Sequence, residues 1–265
     1  MNGALTIKSH VISVGNYAFY NCSNFDGDLR IPDSVTTIGN RAFYDCTGLD
    51  KILTIGNSVT SIGDRAFFNC YNLMGPLTIG DSVTSIGEAA FSQCFDLAGV
   101  LKISNSVTFI GNYAFAGCSK LIGDLIIPDN LTFIGDYVFG NCSKLTGDLT
   151  IPNSVTSIGI GAFWNCSSLT GKLSIPNSVT SIGDRAFWDC SRLTGALTIP
   201  SSVTSIGAQA FENCPNLTSI DFPNSVTSIG AQAFYGCSNL IESGSIAKNK
   251  ISCGADNVYY IFNGT

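Results

Sequence analysis

The sequence predicts a solenoid, a stack of short coils that each bury an apolar edge on the next, and three periodic features predict it. A cysteine recurs every 24 residues at Cys22, Cys46, Cys70, Cys94, Cys118, Cys142, Cys166, Cys190 and Cys214, and Cys237 follows at 23. A phenylalanine precedes each of these by three residues, from Phe19 to Phe234. A glycine stands in all ten copies, from Gly15 to Gly230, after an isoleucine in nine and after Val14 in the first. A fixed period of about 20–50 residues marks stacked supersecondary units, each too small to bury its own core.

The elements follow in order within one copy, residues 145–168. Leu149-Thr150-Ile151-Pro152 alternates apolar and polar residues and stops at proline, which is a short half-buried strand with its own terminator. Its equivalents include Leu29–Pro32, Leu125–Pro128, Leu173–Pro176 and Leu197–Pro200. Strands that return once per coil in one direction pair in parallel, about 4.8 Å apart. Next, Val155 and Ile158 stand three apart in a second extended piece that ends at Gly159. That glycine implies either a positive φ or close backbone contact at a corner. The spacing of Phe163, Cys166 and Leu169 then predicts one face of a short helical turn.

The pattern I-P-x-S-V-T-x-I-G-x-x-A-F-x-x-C-x-x-L runs almost unbroken through residues 1–246, and it resembles the BspA-like branch of the leucine-rich repeat superfamily. The resemblance implies a right-handed leucine-rich repeat solenoid of about ten coils of 23–24 residues. A parallel β-sheet would line its concave face, with a second short extended segment and a short helical turn in each coil. It also implies a surface-exposed or secreted scaffold for adhesion or protein binding. Most coils carry one residue more than the family's usual spacing, and the Cys214–Cys237 coil keeps the shorter form.

Composition narrows the function classes. Hydrophobic residues make up 45% of the chain and charged residues 12%, which suits a continuous core with a surface of Ser, Thr and Asn. A net charge of −6 argues against nucleic acid, which needs a basic stripe. No apolar run reaches the length of a membrane span. The first residues, Met1 to Ile7, lack the charged and apolar regions of a signal peptide, so an exported protein would need a leader absent from this chain.

Catalytic, cofactor and metal sites find no foothold. His10 is the only histidine, in a column that otherwise carries Ser34, Ser58, Ser82 and Ser106. Asp28, Asp124 and Asp148 share one column and do not pair across a cleft as general acid–base work requires. The ladder cysteines lack the close spacing of zinc ligands. Equivalent Cβ atoms in stacked coils stand about 4.8 Å apart, beyond the usual 3.5–4.5 Å of a disulfide, so they read as buried free thiols. Cys253 lies outside the ladder as a candidate reactive thiol.

The polar columns carry the binding candidates, for a protein or glycan ligand on the solenoid surface. Thr6, Arg30, Thr54, Thr78, Lys102, Thr150, Ser174 and Thr198, with Ile126 and Asp221, vary in size and charge along the strand face, as a binding surface does. A threonine ladder from Thr36 to Thr227 reads as stacked hydroxyls, though a flat array also suits a regular surface such as ice or glycan, or O-linked sugar. Glycosylation-type sequons begin at Asn21, Asn130, Asn141, Asn165, Asn216 and Asn263.

The ends suggest self-association. Met1 occupies the slot of Leu49 and Leu73, so the chain opens inside a coil and exposes Leu5, Ile7 and Phe19. Residues 247–265 are expected to form a C-terminal cap or docking segment, with Val258, Tyr260 and Phe262 as its apolar contacts. A head-to-tail contact between such ends propagates as a filament unless its rotation closes a ring.

Overall fold

The computed structural model describes residues 3–242 and 252–253. The chain winds as a parallel β-solenoid in which every strand pair joins successive coils. Leu29–Ile31 pairs with Leu53–Ile55, Thr78–Ile79 with Lys102–Ile103, and Leu149–Thr150 with Leu173–Ser174. The second extended piece builds a ladder of its own. Five two-residue strands, from Ser13–Val14 to Phe109–Ile110, form one sheet, and a second five-stranded sheet begins at Ser157–Ile158. Ile134 links to the second sheet by an isolated bridge to Ile158.

A third extended piece, at Leu-x-Gly, is absent from the sequence reading. It pairs partners 22 residues apart, as in Gly99 with Leu121, while the following strand pairs partners 24 apart, as in Leu29 with Leu53. The register therefore shifts between the two pieces, and the glycine of the Leu-x-Gly piece takes φ near +89° at Gly99. This is the bulge role of an αL glycine. In the 23-residue coil the shift between Gly195 and Ala196 is a single residue.

The segment around Phe and Cys corrects the expected helical turn. Within a coil, Ala42, Tyr44 and Cys46 donate to the carbonyls of Gly39, Arg41 and Phe43 at 3.3 Å. The alternate amides of Arg41, Phe43 and Asp45 donate instead to Asp64, Ala66 and Phe68 of the next coil, at 2.7–2.9 Å. An α-helix needs every amide for its own i−4 carbonyl, so a segment that spends half of them along the stack forms successive tight turns. Two residues per coil enter the left-handed region, at φ 51° to 63° where they are not glycine. One of these columns reads Asn21, Asp45, Asn69, Asn141, Asn165, Asp189 and Asn213, the residue types that tolerate αL best.

The corner glycine resolves to close contact. A Cβ built on Gly87 would lie 2.5 Å from the backbone nitrogen of Asp64 in the preceding coil. Beside it runs a side-chain ladder in which the amide of Asp64 donates to Asn40 Oδ1 and that of Glu88 to Asp64 Oδ1, at 2.9 and 2.8 Å.

The core is one continuous cluster from Val14 to Phe234. Its axis is a stack of ten phenylalanine rings, Phe19 to Phe234, with neighbouring centroids 5.0–5.7 Å apart and planes within 2–13° of parallel. The cysteines pack beside it as free thiols from Cys22 to Cys237. Each ladder thiol from Cys46 onward donates to the carbonyl of the phenylalanine in the preceding coil, Sγ to oxygen 2.9–3.2 Å. Cysteine fits because the slot is small, apolar and faces one spare carbonyl lone pair. Burial pushes the Cys118 and Cys166 thiols up to about 12.

Candidate binding faces

The strand face carries the candidate column as a row of register partners. Leu29, Ile31 and their equivalents point inward, so the residue between them must point to solvent. Arg30 lies beside Thr54, Thr78 beside Lys102, Thr150 beside Ser174, and Thr198 beside Asp221. Thr6 and all of these are exposed, and Ile126, at 71% exposed, is an apolar break in the row. Toward the first coils the face sinks into a groove of about 670 Å³ whose lining includes Thr6, Asp28, Arg30, Asp33, Thr54 and Asn57. One guanidinium between two carboxylates, ringed by hydroxyls and an amide, can meet a polar surface of either sign.

The threonine ladder is tied to the backbone. Thr60, Thr84, Thr108, Thr156, Thr180 and Thr204 each donate their hydroxyl to the carbonyl of the threonine one coil earlier, at 3.0–3.4 Å. That hydrogen bond is the ladder's structural role.

The sequons fall in different settings. Asn21 is exposed. Asn130 and Asn216 are exposed but donate their amides to the carbonyls of Asn105 and Ser191, at 2.7 and 2.8 Å. Asn165 donates to Asn141 Oδ1 at 2.7 Å, and both are half-buried. Asn263 lies outside the described residues. At the first coil Leu5, Ile7, Val11 and Phe19 are only partly covered, and a cavity of about 240 Å³ opens beside Ile7, Val11 and Phe19. Val258, Tyr260 and Phe262, and most of residues 247–265, lie outside the described residues. Cys253 sits in a strand whose backbone pairs with Ser228–Ile229.

Sequence reasoning missed an aromatic face on the turn segment. In most coils the residue after the core phenylalanine is exposed or half-buried, giving Tyr20, Tyr44 and Phe68 stacked 4.9 Å apart, and later Trp164 and Trp188 at 5.7 Å. The residue two before the phenylalanine forms a parallel column, in which Tyr113 and Tyr137 stack at 5.1 Å. Partial burial raises the Tyr113 phenol, with smaller contributions from Tyr137, Asp136 and Glu88. The signal was present in three successive coils, where a large residue in one column meets a small one in the other: Tyr113 with Ala116, Tyr137 with Gly140 and Gly161 with Trp164. Trp164 and Trp188 border a notch of about 360 Å³, which Tyr137, Arg185, Gln209 and Glu212 complete.

Among the described residues, no group of three or more His, Cys, Asp or Glu side chains is placed to hold a metal ion, and no helix is long and apolar enough to cross a membrane. The BspA type leucine rich repeat region matches residues 3–122 and 120–241, with six copies. A comparison with curated proteins finds no match. Among solved structures, a leucine-rich repeat protein from Bacteroides ovatus is 25% identical over 95% of this chain and 82% of its own, with a TM-score of 0.61. A leucine rich cell surface protein from Faecalibacterium prausnitzii is 26% identical over 96% and 87%, with a TM-score of 0.46. The leucine rich repeat protein of T. pallidum is 28% identical over 80% and 83%, at 0.47. With its repeats matched from end to end of the described solenoid, the chain belongs to the BspA-type leucine-rich repeat family.

Proposed function

We propose that the chain is a non-enzymatic binding scaffold, displayed at a cell surface or secreted, that holds a protein ligand on its strand face in adhesion or protein–protein recognition. The observation that carries this reading is the exposed row from Thr6 to Asp221, in which Arg30 with Thr54, Thr78 with Lys102, Thr150 with Ser174 and Thr198 with Asp221 are register partners of parallel strands. Strand-paired positions present their side chains without the ordering cost of a loop, which favours affinity. Variation along the row gives each coil a different contact, and a long solenoid can read an extended partner in this way. Membership of a repeat-scaffold family supports it.

The test uses the full chain against a panel of immobilised extracellular proteins, compared with an Arg30→Glu, Lys102→Glu double variant. Both side chains are exposed, so the fold should be unchanged. Binding should weaken at least about tenfold, or about 1.4 kcal/mol. Equal binding by both proteins removes the strand face from the reading. The second reading, head-to-tail stacking into a filament, draws on the half-covered Leu5, Ile7 and Phe19. Particle size in solution separates them: discrete monomers support the binding scaffold, and rods of constant width support the filament.

A further inference from the structure

We propose that the notch at Tyr137, Trp164 and Trp188 binds a neutral pyranose unit of a glycan. The site is on the turn segment, apart from the strand face, and does not depend on the reading above.

The notch breaks the repeat in a concerted way. The chain's only two tryptophans stand in one column of adjacent coils, stacked 5.7 Å apart with planes 24° from parallel. Tyr137 meets Trp164 edge to face, with centroids 6.4 Å apart and planes at 77°. The tyrosine ring lies over Gly161, where a Cβ would stand 2.3 Å from Tyr137 Cε1. Gly161 takes φ +56°, in the column where other coils carry Arg41, Arg65 or Arg185. The glycine thus clears space that an arginine fills elsewhere.

The wall opposite is polar and self-paired. Arg185 Nε donates to Gln209 Oε1 at 2.8 Å, and Gln209 Nε2 donates to Glu212 Oε2 at 2.7 Å. Gln209 Nε2 also approaches Gln232 Oε1 at 3.4 Å. These bonds orient one cation, one amide and one anion around a single cavity.

The chemistry of that set selects the ligand. A cationic ligand would suit the aromatic rings but meets the Arg185 guanidinium. An anion would suit Arg185 but meets the Glu212 carboxylate. A neutral polyol meets neither penalty. Its hydroxyls both donate and accept, and the wall offers both donors and acceptors. Its C–H face is apolar and packs on aromatic carbon, which is the amphipathic contact that Trp and Tyr provide. The volume of about 360 Å³ stands at the low end of the range for small-molecule sites, about 300–1,000 Å³, so it admits one or two rings and not a folded protein surface.

Because both tryptophans border the notch, intrinsic tryptophan fluorescence reports on it directly. The experiment titrates the full chain with maltotetraose, cellotetraose, chitotetraose, mannotetraose and galactotetraose, and with phosphocholine and a heparin tetrasaccharide as charged probes. At least one neutral oligosaccharide should change the fluorescence saturably. Trp188→Ala, followed by calorimetry, should weaken it about tenfold or more. Glu212→Gln leaves no cavity and keeps a hydrogen-bonding group, so it controls for folding; it should alter affinity while the melting temperature stays put. The proposal is overturned if no neutral oligosaccharide binds more tightly than about 10 mM, if only a charged probe saturates, or if binding survives Trp188→Ala unchanged. A protein partner lost in Trp188→Ala, with no sugar bound, would reassign the notch as a protein hot spot and overturn it equally.

Discussion

At the residue scale, the cysteine ladder ties sequence to pH. From Cys70 to Cys237 burial holds each ladder thiol neutral, and Cys118 and Cys166 sit at about 12 in the fold against an ordinary 9.0. The folded value is above the unfolded one, so the contribution to stability is intact below about pH 9 and is lost as pH rises toward 12. Each such thiol removes about 1.4 kcal/mol per pH unit within that window. Urea titrations between pH 8 and 11 should show a steep fall in stability, and a Cys118→Ala, Cys166→Ala double variant should show a shallower slope. The variant starts from lower stability because of its cavities, so the slope is the readout and the intercept is not. Identical slopes would mean that the thiols are not titrating on unfolding.

At the element scale, the phenylalanine stack holds the coils together. Phe115 lies between Phe91 and Phe139, with centroids at 5.6 and 5.7 Å, and is fully buried. Phe19 has a stacked partner on one side only, Phe43, and is partly covered. Phe115→Ala should therefore cost about 3–5 kcal/mol, and Phe19→Ala clearly less. Denaturant titration of the two variants decides it, and equal losses would contradict the stack. The turn segment teaches a second lesson at this scale. Phe, Cys and Leu spaced by three do share one buried side, as the sequence suggested. The backbone that puts them there is a run of tight turns, because alternate amides bond to the next coil. Side-chain spacing reports which residues face inward; it does not report where the amides go.

At the scale of the whole molecule, stability should vary along the axis. A solenoid gains its energy coil by coil from nearest neighbours, so its ends open before its middle. Equivalent amides test this, since Gly39, Gly87, Gly111 and Gly159 all donate to the preceding coil at 2.8 Å. In native hydrogen exchange, Gly111 and Gly159 should be protected longest and Gly39 least. Uniform protection would indicate a single all-or-none unit instead.

The sequence by itself determined the stacking, the parallel order of the coils and the contents of the core. Those follow from the period of the cysteine, phenylalanine and glycine columns, because a repeated unit with one apolar edge can bury it only on its neighbour. It also placed the strand-face column outward, through simple alternation with Leu and Ile. Only the tertiary structure decided the third extended piece and the bulge at Gly99, since register is a relation between two coils and not a property of one. The same holds for the notch. Tyr137 and Gly161 share a column in successive coils, Trp164 stands three residues after Gly161 in the neighbouring column, and each is unremarked in its own copy. They become a site when the stack lays one ring across the next coil's glycine, and that contact exists only in three dimensions.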